Sequence, residues 1–114
     1  IKEYQEIKEV VMQYVNGCTT GDVELTKRHF IKMPLCTALN GNLCAGSIDV
    51  LYGAIEQLVG EHATKAEVDI LDVVGTAATV RVVLSDWHGM GFTDFLSLVK
   101  MNGKWQIVSK IFHQ

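Results

Sequence analysis

From residue 92 onward apolar and polar positions alternate along Phe92-Thr93-Asp94-Phe95-Leu96-Ser97-Leu98-Val99-Lys100-Met101 and again along Lys104-Trp105-Gln106-Ile107-Val108-Ser109-Lys110-Ile111-Phe112-His113. Asn102-Gly103 stands between them, and Asn-Gly supplies the two positive-φ residues of a type I′ turn, so the pattern predicts one long β-hairpin. A two-residue turn sets Leu98 opposite Ile107, Leu96 opposite Ser109 and Asp94 opposite Ile111, and opposed residues share a face. One face then carries Phe92, Asp94, Leu96, Leu98, Trp105, Ile107, Ser109, Ile111 and His113. The other carries Phe95, Ser97, Val99, Gln106, Val108, Lys110 and Phe112. The first face is a core wall that turns polar at one end.

The front half has a different period. Tyr4, Ile7, Val11, Tyr14, Val15 and Cys18 recur at steps of three and four, which predicts a helix with Lys2, Glu3, Glu6, Lys8 and Glu9 on its wet side, ending at Asn16-Gly17. Thr20-Gly21-Asp22 offers capping chemistry for a short second helix with Val23, Thr26 or Lys27, and Phe30 on its stripe, stopped by Pro34. A small hairpin is expected over Leu35 to Leu39 and Leu43 to Cys44. Ser47 is a candidate N-cap for a third helix with Ile48, Leu51, Tyr52, Ile55, Leu58 and Val59 on one side, closed by Gly60. The period then drops to two over Ala66 to Val74 and Ala77 to Trp87, two strands joined around Gly75-Thr76. Three helices followed by an antiparallel meander make an α+β layout, with the helices covering one face of the sheet.

A chain of 114 residues that is 48% apolar and 20% charged is a single globular domain, residues 1–114, with enough core to fold without staples. The formal charge of −3 argues against nucleic acid as a partner. Residues 1–62 hold eight acids and five bases and residues 63–114 five of each, so the acidic excess belongs to the helical half. Cys18, Cys36 and Cys44 lack Cys-x-x-Cys spacing and are expected to be buried thiols of a reducing cytoplasm. No apolar run reaches the length of a membrane span, and the first residue, Ile1, leaves a removed leader open. His29, His62, His88 and His113 are scattered without His-x-x-x-His spacing, and no Gly-rich phosphate motif occurs, so neither metal nor cofactor is expected.

Tyr14-Val15-Asn16-Gly17 followed by Gly21-Asp22, with the closing Asp94-Phe95-Leu96-Ser97-Leu98 and Gly103-Lys104-Trp105-Gln106-Ile107-Val108-Ser109-Lys110, resembles the NTF2-like (SnoaL-like) superfamily over the whole chain, and within it the putative lumazine-binding branch. The resemblance implies a cone: three N-terminal helices on a strongly curved mixed or antiparallel sheet, an apolar-lined cavity open at one end, and commonly a dimer through the outer sheet face. The residues support the last feature separately. Phe95, Val99, Val108 and Phe112 on the outer hairpin face would form an apolar patch unusual for a monomer, so a homodimer through that face is expected.

Asp94 is the most suggestive polar residue, a carboxylate among apolar neighbours where ionisation is costly. His113 lies diagonal to it in the expected register, within reach of a shared hydrogen bond or water. Trp87 and His88 lie at the turn into the last hairpin, at the same end as Asp94, and aromatic and polar groups at a cavity mouth suit a planar ligand. Tyr14 and Tyr52 place phenols on apolar helix stripes, and Trp105 adds a large ring to the core wall. Each has a plainer reading: the tyrosines as core, Trp87 as an edge ring under a loop, Asp94 as acceptor for a backbone or Trp donor, and His113 as a frayed end.

Three functions follow. The first is a binding module for a small, largely apolar organic molecule, lined by Tyr14, Tyr52, Trp87, His88, Asp94 and Trp105. The second is an enzyme of the isomerase, dehydratase or cyclase type using Asp94 with Tyr14 or His113. Resemblance to the ketosteroid isomerases would make Tyr14 and Asp94 the oxyanion donors, but Met33 to Leu39, where their separate base would fall, contains no acid. The third is a structural or subunit-interaction domain with no ligand.

Overall fold

The computed structural model describes residues 2–31, 52, 53, 55, 65–87 and 89–113 with their side chains, and the backbone of residues 34–39 and 42–47. Helices α1 (Lys2–Thr20) and α2 (Val23–Lys27) precede strands β1 (Pro34–Leu39), β2 (Asn42–Ser47), β3 (Lys65–Val74), β4 (Ala77–Trp87), β5 (Met90–Met101) and β6 (Lys104–His113). The strands form one sheet in the order β2-β1-β6-β5-β4-β3. Its neighbours are antiparallel except β1 and β6, which run parallel, so this is an α+β fold with helices on a curved mixed sheet.

Helix α1 buries Ile7, Val10, Val11, Tyr14, Val15, Gly17 and Cys18, while Tyr4, expected on that stripe, is largely exposed. The helix also runs through Asn16-Gly17, where the sequence predicted its end. The reason is packing. A Cβ on Gly17 would lie 2.0 Å from Thr26 Oγ1 and 2.5 Å from the Thr26 backbone nitrogen, so this glycine admits α2 against α1 rather than capping α1. Gly21, at φ +78°, makes the left-handed exit instead. Asp22 then caps α2, its Oδ1 accepting from the Leu25 amide at 3.2 Å.

Helix α2 ends at Lys27, well short of Pro34, which opens β1. Between them the chain pairs with β6: the Ile31 amide donates to the Ile107 carbonyl and the Ile107 amide to the His29 carbonyl. The predicted small hairpin is present as β1 and β2, Pro34 opposite Ser47 and Leu39 opposite Asn42. The third predicted helix falls largely outside the described residues, together with His62 and His88; within it Tyr52, Gly53 and Ile55 are described and are helical. The stripe of α1 packs on Val80, Val82 and Leu84 of β4, Leu96 and Leu98 of β5, and Trp105 and Ile107 of β6 to form the core.

Besides a register shift in β3, two β-bulges bear on the expected faces: one in β6 corrects them, and one in β4 decides which residue at its end turns inward. From the turn, Met101 pairs with Lys104 and Leu98 with Ile107 as predicted, but beyond Val108 the register moves by one. Ser97 then faces Ser109, Leu96 faces Lys110, Phe95 faces Ile111 and Asp94 faces Phe112. The extra residue falls where the partner on the other edge of β6 changes from the Phe30 segment to β1. Because a bulge in one strand reverses every later side chain of that strand, Lys110 and Phe112 turn inward while Ile111 and His113 turn out. Lys110 is 5% exposed and Ile111 52%. The second bulge lies in β4, where Leu84 opposes Phe92 but Trp87 opposes Met90. Asp86 takes φ +59° there, and Trp87 rather than Asp86 continues the inward row of Val80, Val82 and Leu84.

Candidate functional site

Four elements bring Tyr14, Cys18, Asp94 and Lys110 into one buried cluster. The α-helical stripe carries Tyr14 and Cys18 inward one turn apart. Thr26 of α2, seated on Gly17, donates its hydroxyl to the Tyr14 carbonyl at 3.3 Å and approaches Cys18 Sγ at 4.0 Å. Strand β5 turns Asp94 in by simple alternation, and the bulge in β6 delivers Lys110 to the same spot.

The centre of the cluster is the Asp94 carboxylate, 1% exposed. Tyr14 donates its hydroxyl to Oδ2 at 2.6 Å. Lys110 Nζ stands 3.9 Å from the same oxygen, beyond a hydrogen bond but close enough to act as its counter-charge. The other oxygen, Oδ1, is buried and has no hydrogen-bond partner among the described residues. A buried acceptor without a donor is costly, and such groups concentrate where a ligand or water completes the shell.

Burial pushes the Asp94 carboxyl above its ordinary range, with the Lys110 charge and the Tyr14 hydrogen bond opposing that shift. Burial, followed by the negative charge of Asp94, pushes the Tyr14 phenol well above its ordinary value, so the phenol remains a donor. Burial also pushes the Cys18 thiol up to about 11, which keeps it protonated and unreactive near neutrality. That matches the plain reading of Cys18 as a buried thiol.

Aromatic rings flank the cluster on two sides. Lys110 Nζ lies 4.5 Å from the Phe112 ring centroid and 5.6 Å from that of Tyr14. Beyond Phe112 come Phe92 at 5.7 Å and Trp87 at a further 5.4 Å, and beyond Tyr14 come Phe30 at 5.5 Å and Tyr52 at a further 6.2 Å. Trp87 is buried, its indole nitrogen donating to the Cys18 carbonyl at 2.9 Å, so it packs beneath the cluster rather than standing as an edge ring.

Of the residues singled out from sequence, Tyr14 and Asp94 meet directly, while Trp87 and Tyr52 join through intervening rings. His113 does not meet them: the bulge turns it to the outer, exposed side, where it pairs with Thr93. Trp105 is separated as well. Its strand partner is Lys100, six residues along β5 from Asp94 and thus roughly 20 Å away. Its indole nitrogen donates to Glu3 at 2.8 Å, and Glu3 also binds Lys100 at 2.9 Å, so Trp105 anchors the start of α1. His29 is half-buried against Gln13 at 2.6 Å. The residue that sequence reasoning missed is Lys110, which unbroken alternation had placed on the outer face.

Residues 2–113 match the family model described as putative lumazine-binding. Aldolase FrzH of Cladobotryum sp is 34% identical over 113 residues, 97% of this chain and 90% of that protein. A crystal structure of an NTF2-like protein of unknown function from Shewanella baltica OS155 superposes with a TM-score of 0.87 at 34% identity, over 98% of this chain and 93% of that one. The association domain of Caenorhabditis elegans CaMKII has a TM-score of 0.72 at 17% identity, over 99% and 96%, and shares the fold.

Proposed function

Since this chain belongs to the putative lumazine-binding family of NTF2-like proteins, we propose that it binds a small organic molecule bearing a carbonyl group and moves a proton at the adjacent carbon. The observation that carries this reading is the Asp94 carboxylate, with one oxygen held by Tyr14 and the other buried without a partner among the described residues. A base confined this way, with burial raising its proton affinity, is suited to taking a proton from carbon. Lys110 brings a nitrogen-borne positive charge to within 3.9 Å of that carboxylate, where it would offset the negative charge that develops as the proton leaves. The base whose absence from Met33 to Leu39 counted against isomerase-like chemistry is, in this reading, Asp94 itself. Its relative FrzH is named an aldolase, and aldol chemistry begins with removal of a proton next to a carbonyl.

A thermal-shift series tests the reading. Cyclic and aromatic ketones and aldehydes are compared with alcohols of the same skeleton, in wild type and in Asp94→Asn. A ligand at 100 times its Kd stabilises the native state by about 2.7 kcal/mol, which raises Tm by several degrees in a domain of this size. Carbonyl compounds should raise Tm in wild type and less in the variant. Equal shifts for carbonyl compounds and alcohols, or none for either, would count against it.

The second element of the proposal is a homodimer. With Phe112 turned inward, the outer patch centres on Phe95 and Ile111, paired across β5 and β6, with Val99 and Val108 further along the strands beyond the Ser97–Ser109 pair. Phe95 and Ile111 are 43% and 52% exposed, an apolar pairing that a second copy of the sheet would cover.

A further inference from the structure

We propose that Lys110 is a covalent catalytic residue that forms an iminium ion with the carbonyl carbon of the substrate, a ketone or aldehyde with a hydrogen on its α-carbon. This rests on the carbonyl-binding reading above and adds the group that makes the electron sink. Lys110 is 5% exposed in a chain whose other described lysines, Lys2, Lys8, Lys27, Lys65, Lys100 and Lys104, are exposed or half-buried. A β-bulge, a device that re-aims side chains next to active sites, turns it inward. Its Nζ faces the Asp94 carboxylate and the Tyr14 and Phe112 rings. It pairs across the sheet with Leu96, separated from the Asp94–Phe112 pair by Phe95–Ile111 and three pairs from the end of the β5–β6 ladder at Thr93–His113.

That environment suits the cationic intermediate: a carboxylate and two aromatic faces stabilise an iminium formed where Nζ stands. Asp94 is the acceptor for the proton that must leave before the nitrogen attacks. The amine lone pair then forms the C–N bond while the carbonyl π pair moves to oxygen, which takes a proton from the newly bonded, positively charged nitrogen to give a neutral carbinolamine. Nitrogen next expels that oxygen as water, the proton returning from Asp94. Overall, the ammonium and the carbonyl become iminium and water, two ammonium protons departing with the oxygen and no electrons gained or lost. Asp94, ionised again, removes the α-proton, and the C–H pair forms the enamine.

Reductive trapping tests this. The full chain is incubated separately with cyclohexanone and propionaldehyde in the presence of cyanoborohydride, which reduces iminium ions, and adducts are mapped by peptide mass spectrometry. Lys110 should carry the first adduct, forming at least about tenfold faster than on exposed lysines such as Lys8 and Lys104. Lys110→Arg, which keeps the charge but cannot form the iminium, should lose that fast phase while retaining the circular dichroism of the folded chain. Adducts confined to exposed lysines of the wild-type protein overturn the proposal without recourse to any variant. If the carbonyl-selective thermal shift persists in that case, carbonyl binding stands and covalent capture alone fails. If neither is seen, both fail.

Discussion

At the scale of single residues, the central feature is a carboxylate kept from water with only part of its hydrogen-bonding capacity met. Asp94 was legible in the sequence because alternation from the Asn102-Gly103 turn sends it inward, and the alternation along β5 survives although its cross-strand partner changes from Ile111 to Phe112. Tyr14 was legible from the helical period. Lys110 was not, because a lysine in an alternating strand normally marks the wet face, and Val108-Ser109 contains no glycine to signal an extra residue. Ion pairs as dry as Asp94–Lys110 are costly to assemble and give little net stability. Cys18 provides a pH test of how dry the cluster is. Its thiol is pushed up to about 11 from an ordinary 9.0, so the unfolded thiol ionises first as pH rises. The stabilising advantage is therefore complete below pH 9 and is lost as pH climbs through 11, a cost of roughly 2–3 kcal/mol. Urea titrations of wild type and Cys18→Ala across this range should give a shallower alkaline decline in the variant. Identical slopes would mean that water reaches the thiol.

At the scale of elements, the positions of β3 to β6 and their antiparallel succession follow from period and turn chemistry, whereas the parallel pairing of β1 on β6 and the local departures follow from contacts between elements that no local pattern contains. Asn16-Gly17 looks like a helix stop, yet α1 continues because the missing side chain is needed by Thr26. Gly17→Ala should therefore destabilise the protein by about 3 kcal/mol, since a helix-favouring residue would drive its Cβ into the Thr26 backbone. Chemical denaturation measures this directly. A neutral or stabilising result would identify Gly17 as an ordinary helix position. The two bulges belong to the same class. Each places one large side chain, Trp87 or Lys110, where strict alternation would have put Asp86 or Ser109. The candidate site is thus assembled by interruptions of the pattern that makes the rest of the sheet predictable.

At the scale of the whole molecule, the α+β class was readable because helical periods dominate the front of the chain and strand periods its end, and the NTF2-like architecture because Tyr14-Val15-Asn16-Gly17 and the closing hairpin resemble that superfamily. The site was only half readable, because a register change of one residue in the last strand exchanges His113 for Lys110. The same change alters the expected dimer face, replacing Phe112 with Ile111. If that face joins two copies, light scattering should give twice the chain mass, and Ile111→Glu should give a monomer with an unchanged circular dichroism spectrum. A monomeric wild type would remove the dimer while leaving the site intact. Among the described residues no helix is long and apolar enough to cross a membrane. The account depends most on Asp94 being a working base, and the most direct measurement is proton NMR of cyclohexanone in D2O with the protein added. Wild type should speed replacement of the α-hydrogens by deuterium, with the acceleration lost in Asp94→Asn. Exchange at the same rate with and without the protein, or undiminished in the variant, would contradict the account.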